Sequence, residues 1–254
     1  MLTWSLISLT IKAVNTAADS ENKIHDDRVA AQFGFRGGLV PGVTVYGYLA
    51  EAALRHFGDE WLERGAMDVR FQQPVYHGEE IEVSVWEDGA RAVVEIAGRA
   101  TGTAWVGGGE SPDASRYEER ELSEPRVAAS RESLAIGTVL GTLVRDLDAA
   151  GSGMSAPLEP VIGPRRVTHS AVLLALANEI LVRHVELGPW IHVASEVRKF
   201  RAVRDGDPIR VCGVVTEQYE RKSHEFVVLD VAIVVNGRVA EQVRHTAIWR
   251  PRVT

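Results

Sequence analysis

The chain has little sulfur, no long apolar run and no excess of positive charge. Its 254 residues include one cysteine, Cys212. That excludes a disulfide within the chain and a zinc site built from thiolates. Cys212 sits in an alternating apolar segment and reads as a buried free thiol, small and weakly polar. No apolar run approaches the ~20 residues that a membrane-spanning helix needs. The segment Met1–Val14 is interrupted by Thr3, Ser5, Ser8 and Thr10 and has neither a basic start nor a small-residue cleavage site. It reads as a first strand rather than a secretion signal, so a cytoplasmic protein without a membrane partner is expected. Lys and Arg total 28 against 35 Asp and Glu, a formal net charge of −7. A nucleic-acid partner is disfavoured, because such proteins present a basic surface. What is present is ordinary globular material, 45% apolar and 25% charged.

The chain aligns with itself at a shift of 128. Glu51 falls on Glu179, Arg55-His56 on Arg183-His184, Ala66 on Ala194, and Val69-Arg70 on Val197-Arg198. Val75, Gly78, Ile81 and Val83 then fall on Val203, Gly206, Ile209 and Val211, with no gap from 51 to 83. This is an internal duplication. The expected units are residues 1–122 and 123–254.

Each unit repeats one order of elements. Val43, Tyr46, Ala50, Ala53, Leu54 and Phe57 fall at helical spacing, with Pro41 where a first turn tolerates it. Its counterpart, Ala171–Val185, is apolar nearly all round and predicts a buried helix. Strands follow: Glu80–Trp86, a turn at Asp88-Gly89, then Ala92–Ile96 and Thr101–Val106; in the second copy Ile209–Thr216, Phe226–Val235, a turn at Asn236-Gly237, and Val239–Trp249. Residues 107–133 are rich in Gly, Pro and charge and read as a flexible connector. The second unit is expected to begin near Ser133, with Leu134–Leu147 as its first strand. A long apolar helix with antiparallel strands is an α+β unit whose sheet wraps the helix.

Near the amino end lies Asp19-Ser20-Glu21-Asn22-Lys23-Ile24-His25, followed by Gly37-Gly38-Leu39-Val40-Pro41-Gly42 at the start of the first helix. A carboxylate, an amide and an imidazole close to a helix start can move a proton and hold a carbonyl. The whole stretch resembles the MaoC-like hydratase/dehydratase superfamily, whose active members carry Gly-Asp-x-Asn-Pro-x-His before a Gly-rich lead into a central helix. Asp27, Ala30, Gly34-Phe35 and Arg70-Phe71-x-x-Pro-Val-x-x-Gly extend the likeness over about residues 19–83. With Asn22 and His25 in register, the family's aspartate falls on Ser20, its glycine on Asp19 and its proline on Lys23. The histidine usual before the helix glycine is Pro41.

The resemblance implies a tandem hotdog fold: two curved antiparallel sheets, each round a central helix, paired side by side, with an active centre in the first unit alone. It implies (R)-specific hydration or dehydration of an acyl thioester carried on CoA or acyl-carrier protein, with no cofactor or metal, in a chain that assembles as a homodimer. His25 and Asp19 are the acid–base candidates, and Asn22 orients the water or the carboxylate. Gly42 and Val43 supply backbone N–H groups to the carbonyl oxygen, Gly38 permits close approach, and Ser20 occupies the acid's position. His25 is equally readable as a loop histidine, Asp26-Asp27 as a helix cap, and Asp19 and Asn22 as turn formers.

Two further readings stay open. Glu51 and Glu179, matched on the two helices, suit either a thioesterase carboxylate or i,i+4 ion pairs with Arg55 and Arg183. A hotdog that binds a thioester without turnover is the third. Arg165, Arg166, Arg198, Lys199, Arg201 and Arg204 could grip phosphates or form a solvated face. His169, His192 and His224 lack metal-ligand spacing and read as structural.

Overall fold

A computed structural model describes residues 7–107, 109–154, 156 and 158–253. Ten strands form one antiparallel sheet: β1 (Ile7–Lys12), β2 (Gly65–Phe71), β3 (Glu80–Asp88), β4 (Arg91–Ile96), β5 (Ala100–Val106), β6 (Leu143–Asp146), β7 (Ile191–Lys199), β8 (Pro208–Arg221), β9 (His224–Val235) and β10 (Arg238–Arg250). Their spatial order is β1-β3-β4-β5-β2-β7-β10-β9-β8-β6. The two halves of that order mirror one another, as the duplication requires. Among the described residues four α-helices accompany them: α1 (Asp27–Ala31), α2 (Gly42–Phe57), α3 (Glu60–Arg64) and α4 (Ser170–His184).

The halves join where β2 pairs with β7. Within that ladder Ala66 faces Arg198, Asp68 faces Glu196 and Arg70 faces Ala194. Under the shift of 128 Ala66 maps to Ala194 and Arg70 to Arg198, so the pairs at either side exchange and Asp68 faces its own counterpart, Glu196. The pseudo-twofold axis therefore passes between Asp68 and Glu196. Two carboxylates opposed across a ladder repel; Arg198 lies 2.7 Å from Asp68, and Arg244 lies 3.6 Å from Glu196.

Strand alternation sets the inner face. Ile81, Val83 and Val85 of β3 and Ala92, Val94 and Ile96 of β4 are buried and pack round α2. Helix α2 starts after Pro41 and ends at Gly58, whose φ of 71° is open to glycine. The second central helix, α4, is buried on almost every side, as its composition predicts. The two helices touch at Gly47: a β-carbon there would stand 3.0 Å from Ala171 Cβ and 2.5 Å from Leu158 Cδ1.

Two expectations are corrected. Leu134–Leu147 is not one strand. Residues 143–146 pair with β8 as β6, whereas Leu134 and Leu140 are fully buried within a turning segment that contains Gly137 at φ 87°. Burial of leucines, rather than ladder pairing, gives that stretch its apolar pattern. Nor is 107–133 a loose connector. Tyr117 packs on Cys212, Ala232, Val234 and Val239 on the outer face of the second half. Its hydroxyl donates to Asp230 and accepts from Gln242 Nε2 at 2.9 Å. Cys212 is buried, as its sequence context suggests. The expected first strand, Met1–Val14, is seen over Ile7–Lys12; its beginning lies outside the described residues. Among the described residues no helix is long and apolar enough to cross a membrane.

Candidate active site

The chain between β1 and α2 folds back on itself to carry the motif. Asn22 caps a short 3-10 turn, Lys23–His25, by accepting from Ile24 N. Asp26 then caps α1, its Oδ1 accepting from Arg28 N at 2.9 Å and Val29 N at 3.0 Å. Asp27 Oδ1 accepts from Gly38 N at 2.7 Å, which clamps the glycine run beside the motif. A β-carbon on Gly38 would stand 2.0 Å from the His25 carbonyl oxygen. Gly38 is thus required for close approach to the motif backbone.

His25 is held at both nitrogens. Its Nδ1 lies 2.7 Å from the Leu39 carbonyl oxygen, an acceptor only, so Nδ1 carries the proton and Nε2 the lone pair. Nε2 faces Asn22 Nδ2 at 3.4 Å. Burial pushes His25 below the ordinary histidine value, partly opposed by the bond to Leu39, so the ring is a neutral base near pH 7.

Asn22 is fixed from the other half of the chain. Its Oδ1 accepts from Trp190 N at 3.1 Å, and its Nδ2 donates to Trp190 O at 3.0 Å. A cavity of about 230 Å³ opens at this junction. His25, Asn22, Leu39, Pro41 and Gly42 line one side; Phe71, Gln72 and Gln73 line another; Asn178, Trp190, His192 and His224 come from the second half. Thr44 N and Val45 N both reach the Pro41 carbonyl. The Gly42 and Val43 N–H groups, one step earlier, have no acceptor among the described residues and carry the positive end of the α2 dipole. The arrangement can therefore accept a proton at one point and stabilise a negative oxygen at another.

The expected pairing of Asp19 with His25 is not formed. Asp19 is exposed in the preceding turn and does not line the cavity, and His25 Nδ1 is bound to the Leu39 carbonyl instead. Ser20 is also outside the cavity: its Oγ donates to the Asn22 carbonyl, a turn contact. The Val43 side chain points away, into a smaller cavity of about 130 Å³ beside α4. Among the described residues no carboxylate lines the cavity that holds His25, and no cluster of three or more His, Cys, Asp or Glu could hold a metal.

The other candidates resolve into local chemistry. Glu51 pairs with Arg55 at 2.9 Å, and Glu179 with Arg145, not Arg183, at 2.6 Å; neither lines the cavity. Arg165 and Arg166 are paired with Glu63 and Asp205, and Arg198 with Asp68. Lys199 is not on a basic face at all. It is 2% exposed, donates to Ser170 Oγ and lies 3.9 Å from the Trp61 ring centroid. By the shift of 128, Ser170 and Lys199 are the counterparts of Gly42 and Phe71, so in the second half these side chains fill the place that the cavity occupies in the first. His169 caps α4 by accepting from Ala171 N at 3.1 Å.

Asn178, Trp190, His192 and His224 escaped sequence reasoning as site residues. Their place follows from the pseudo-twofold packing, which sets the beginning of β7 against the start of α2.

Comparison with known proteins agrees with this architecture. Residues 18–106 match the family of the MaoC-like domain. Peroxisomal multifunctional enzyme type 2 of Mus musculus is 30% identical over 97 residues, which span 37% of this chain and 13% of that enzyme. A MaoC-domain protein from Chloroflexus aurantiacus superposes with a TM-score of 0.63 at 10% identity, over 98% of this chain and 95% of its own. A Mycobacterium tuberculosis protein reported to have a double hotdog fold superposes with a TM-score of 0.60 at 13% identity, over 96% and 95% of the two chains. The protein is a double hotdog. More particularly, its first half is similar to the MaoC-like domain over residues 18–106.

Proposed function

We propose that the chain is an (R)-specific hydratase/dehydratase of acyl thioesters, with one active centre per chain. The carrying observation is the fixed tautomer of His25: Nδ1 bound to Leu39 O leaves a basic Nε2 on the wall of a cavity that Gly42 also lines, at the helix start where the Gly42 and Val43 N–H groups lack an acceptor. In the hydration direction the thioester oxygen sits at those N–H groups. Nε2 takes a proton from water as the water oxygen bonds to the β-carbon. The electron pair of the double bond moves through the α-carbon onto the thioester oxygen, and the helix start stabilises that charge. The imidazolium then returns its proton to the α-carbon. Atoms balance with His25 as sole proton carrier and no carboxylate. Such general acid–base help is worth ~10²–10⁴-fold in rate.

CoA or an acyl-carrier protein serves as the handle, and the small cavity favours a short acyl group. The thioesterase reading loses its support, since Glu51 and Glu179 lie outside the cavity in ion pairs. A binder without turnover is favoured by one observation, the absence of a lining carboxylate among the described residues. One assay separates all three. With crotonyl-CoA, loss of enoyl absorbance without release of thiol is expected. Release of thiol would instead support the thioesterase. Saturable binding with neither change would leave a binder.

A further inference from the structure

On the second half, the cavity borders an exposed patch that the mechanism above does not use. Ile248 and His224 line the cavity. Phe226 faces Ile248 between β9 and β10, and Tyr219 faces Phe226 between β8 and β9. Directly opposed residues share a face of the sheet, so Ile248, Phe226 and Tyr219 form one row leading away from the cavity. Alternation along β9 puts Phe226 on the face that also carries Ala232 and Val234, the outer face that Tyr117 covers further on. The rings of Tyr219 and Phe226 stack, with centroids 4.7 Å apart and planes 8° apart. Beyond Tyr219 no strand pairs with β8 among the described residues, since β6 reaches only Pro208 to Val211. Tyr219 is 40% exposed, on the side away from Phe226. Adjacent strands lie ~4.8 Å apart, which sets Tyr219 about 10 Å from the Ile248 wall.

The next row out is basic. Arg221 faces His224 across the β8–β9 hairpin, Arg252 N donates to His224 Nδ1 at 3.0 Å, and Lys222 sits in the turn between the strands. Alternation places Arg221 and His224 on the same face as Tyr219 and Phe226, ~7 Å further along the strands. Burial, then the charges of Arg252 and Lys222, push His224 below the ordinary histidine value, so both cations lie close to a cavity-lining residue. Arg221, Lys222 and Arg252 are exposed, and among the described residues none has a carboxylate partner. The carboxylates of the hairpin tip, Glu220 and Glu225, are taken by Arg131 and Arg250. Three unpaired cations thus stand together in a chain whose net charge is −7. Like charges at close quarters repel, and an anion seated among them removes that cost.

We propose that this shelf seats the nucleotide end of a CoA thioester, with the adenine stacked on the exposed side of Tyr219 and the phosphates held by Arg221, Lys222 and Arg252. Every base offers a π-face to an aromatic ring, and the arginine fork matches phosphate oxygens. A flat ring beside unpaired cations fits an adenine nucleotide; an acidic protein surface would use the cations and leave the ring idle. The linear arm of CoA spans the ~10 Å from Tyr219 back to the cavity wall and leads the thioester inward. The inference rests on the thioester reading of the cavity. It selects CoA over acyl-carrier protein as the handle and makes the second half the part that grips it.

Calorimetric titration with free CoA, and with pantetheine, which keeps the arm and lacks the nucleotide, tests the shelf without turnover. CoA should bind at least about 100-fold tighter than pantetheine, and the difference should shrink as salt is raised. Tyr219→Ala should weaken CoA about tenfold, the loss of one base stack, and Tyr219→Phe, which keeps a ring, should retain nearly all the affinity. Lys222→Ala with Arg252→Ala should weaken CoA ~10–100-fold; both are exposed changes that leave the fold intact. With crotonyl-CoA the same losses should appear in KM rather than kcat. The proposal is overturned if CoA and pantetheine bind alike, or if Tyr219→Ala and the double variant both bind CoA as wild type does. It is also overturned if the double variant raises KM for crotonyl-acyl-carrier protein and leaves CoA affinity untouched, since the cations then serve an acidic protein. Shelf-dependent binding of CoA without hydration of crotonyl-CoA sinks the hydratase reading and keeps this one. Hydration of crotonyl-CoA that is indifferent to the shelf does the reverse.

Discussion

Asn22 and the backbone of Trp190, 168 residues apart, form a closed pair of hydrogen bonds, amide oxygen to N–H and amide nitrogen to carbonyl. The same Asn22 nitrogen faces His25 Nε2. One side chain thus ties the motif loop of the first half to the strand that begins β7 in the second. Asn22→Ala should cost ~2–3 kcal/mol, since each such bond contributes ~1 kcal/mol and the Trp190 groups are left unpaired. A midpoint lower by roughly 5–10 °C follows for a chain of this size. Asn22→Asp should be no better, because a carboxylate cannot donate to Trp190 O. Thermal unfolding of both variants checks this; an unchanged midpoint for Asn22→Asp would show that the clasp is not formed in solution.

His25→Gln keeps a polar side chain of similar reach but removes the base. It should lower kcat for crotonyl-CoA hydration by ~10²–10⁴-fold with KM little changed. Because burial lowers the pKa of His25 below 6.5, the basic form dominates at neutral pH. Wild-type activity should therefore be flat above about pH 6.5 and fall as pH drops through the lowered value. A profile that rises on acidification would remove His25 from the role of base.

Gly38→Ala should disable the site without touching a ligand. The new methyl would meet the His25 carbonyl oxygen at 2.0 Å and the carbonyl carbon at 2.6 Å. Both are backbone atoms that cannot swing aside, so the motif loop must shift. The expected result is a kcat reduced at least tenfold and a lowered unfolding midpoint, read by activity and calorimetry on one sample. A fully active Gly38→Ala chain would contradict this placement of the loop.

Glu51→Gln and Glu179→Gln should leave hydration within about twofold of wild type. Each carboxylate is held in a partly exposed ion pair away from the cavity, and such pairs are worth ~0–1 kcal/mol. A hundredfold loss in either variant would reopen the thioesterase reading.

The parts of this protein that were legible in sequence are those set by local pattern. Helix α2 was readable because Val43, Tyr46, Ala50 and Phe57 repeat at helical spacing after Pro41, and β3 because Ile81, Val83 and Val85 alternate. The repeat at 128 carried the pairing of like halves. The motif histidine lines the cavity because a short turn and its caps are local too. What failed was non-local. Asp19 resembled a partner of His25 by proximity in the chain, yet it is exposed in its turn and the Leu39 carbonyl takes Nδ1 of the ring. Leu134 and Leu140 have the composition of a strand but are buried in turns. His192 looked structural because nothing in the spacing of histidines says that β7 of one half meets the helix start of the other. Lys199 resembled a phosphate ligand until burial beside Trp61 and Ser170 was visible.

Buried histidines should make the fold sensitive to mild acid. Burial holds His245 at about 3, and burial together with the nearby Lys199 charge holds His169 at about 3. Both lie below the unfolded value of 6.5, so the unfolded chain binds protons first. Their contribution is whole above pH 6.5 and is lost progressively as pH falls toward 3. Each histidine contributes a slope of ~1.4 kcal/mol per pH unit, about 2.7 for the pair. Glu241 works the other way: burial raises its carboxyl above the ordinary value, and its protonation in the folded state offsets up to ~1.4 kcal/mol per unit in part of that range. His192, which burial also pushes well below the ordinary value, adds a third histidine's share, so a net loss of at least ~1 kcal/mol per unit remains between pH 6.5 and 5, above the range in which ordinary carboxylates titrate. Denaturant midpoints at pH 7, 6 and 5 measure it, and His245→Phe should flatten the slope by about one histidine's share. Stability that is constant from pH 7 to 5 would mean that these rings reach water or a partner in the native state.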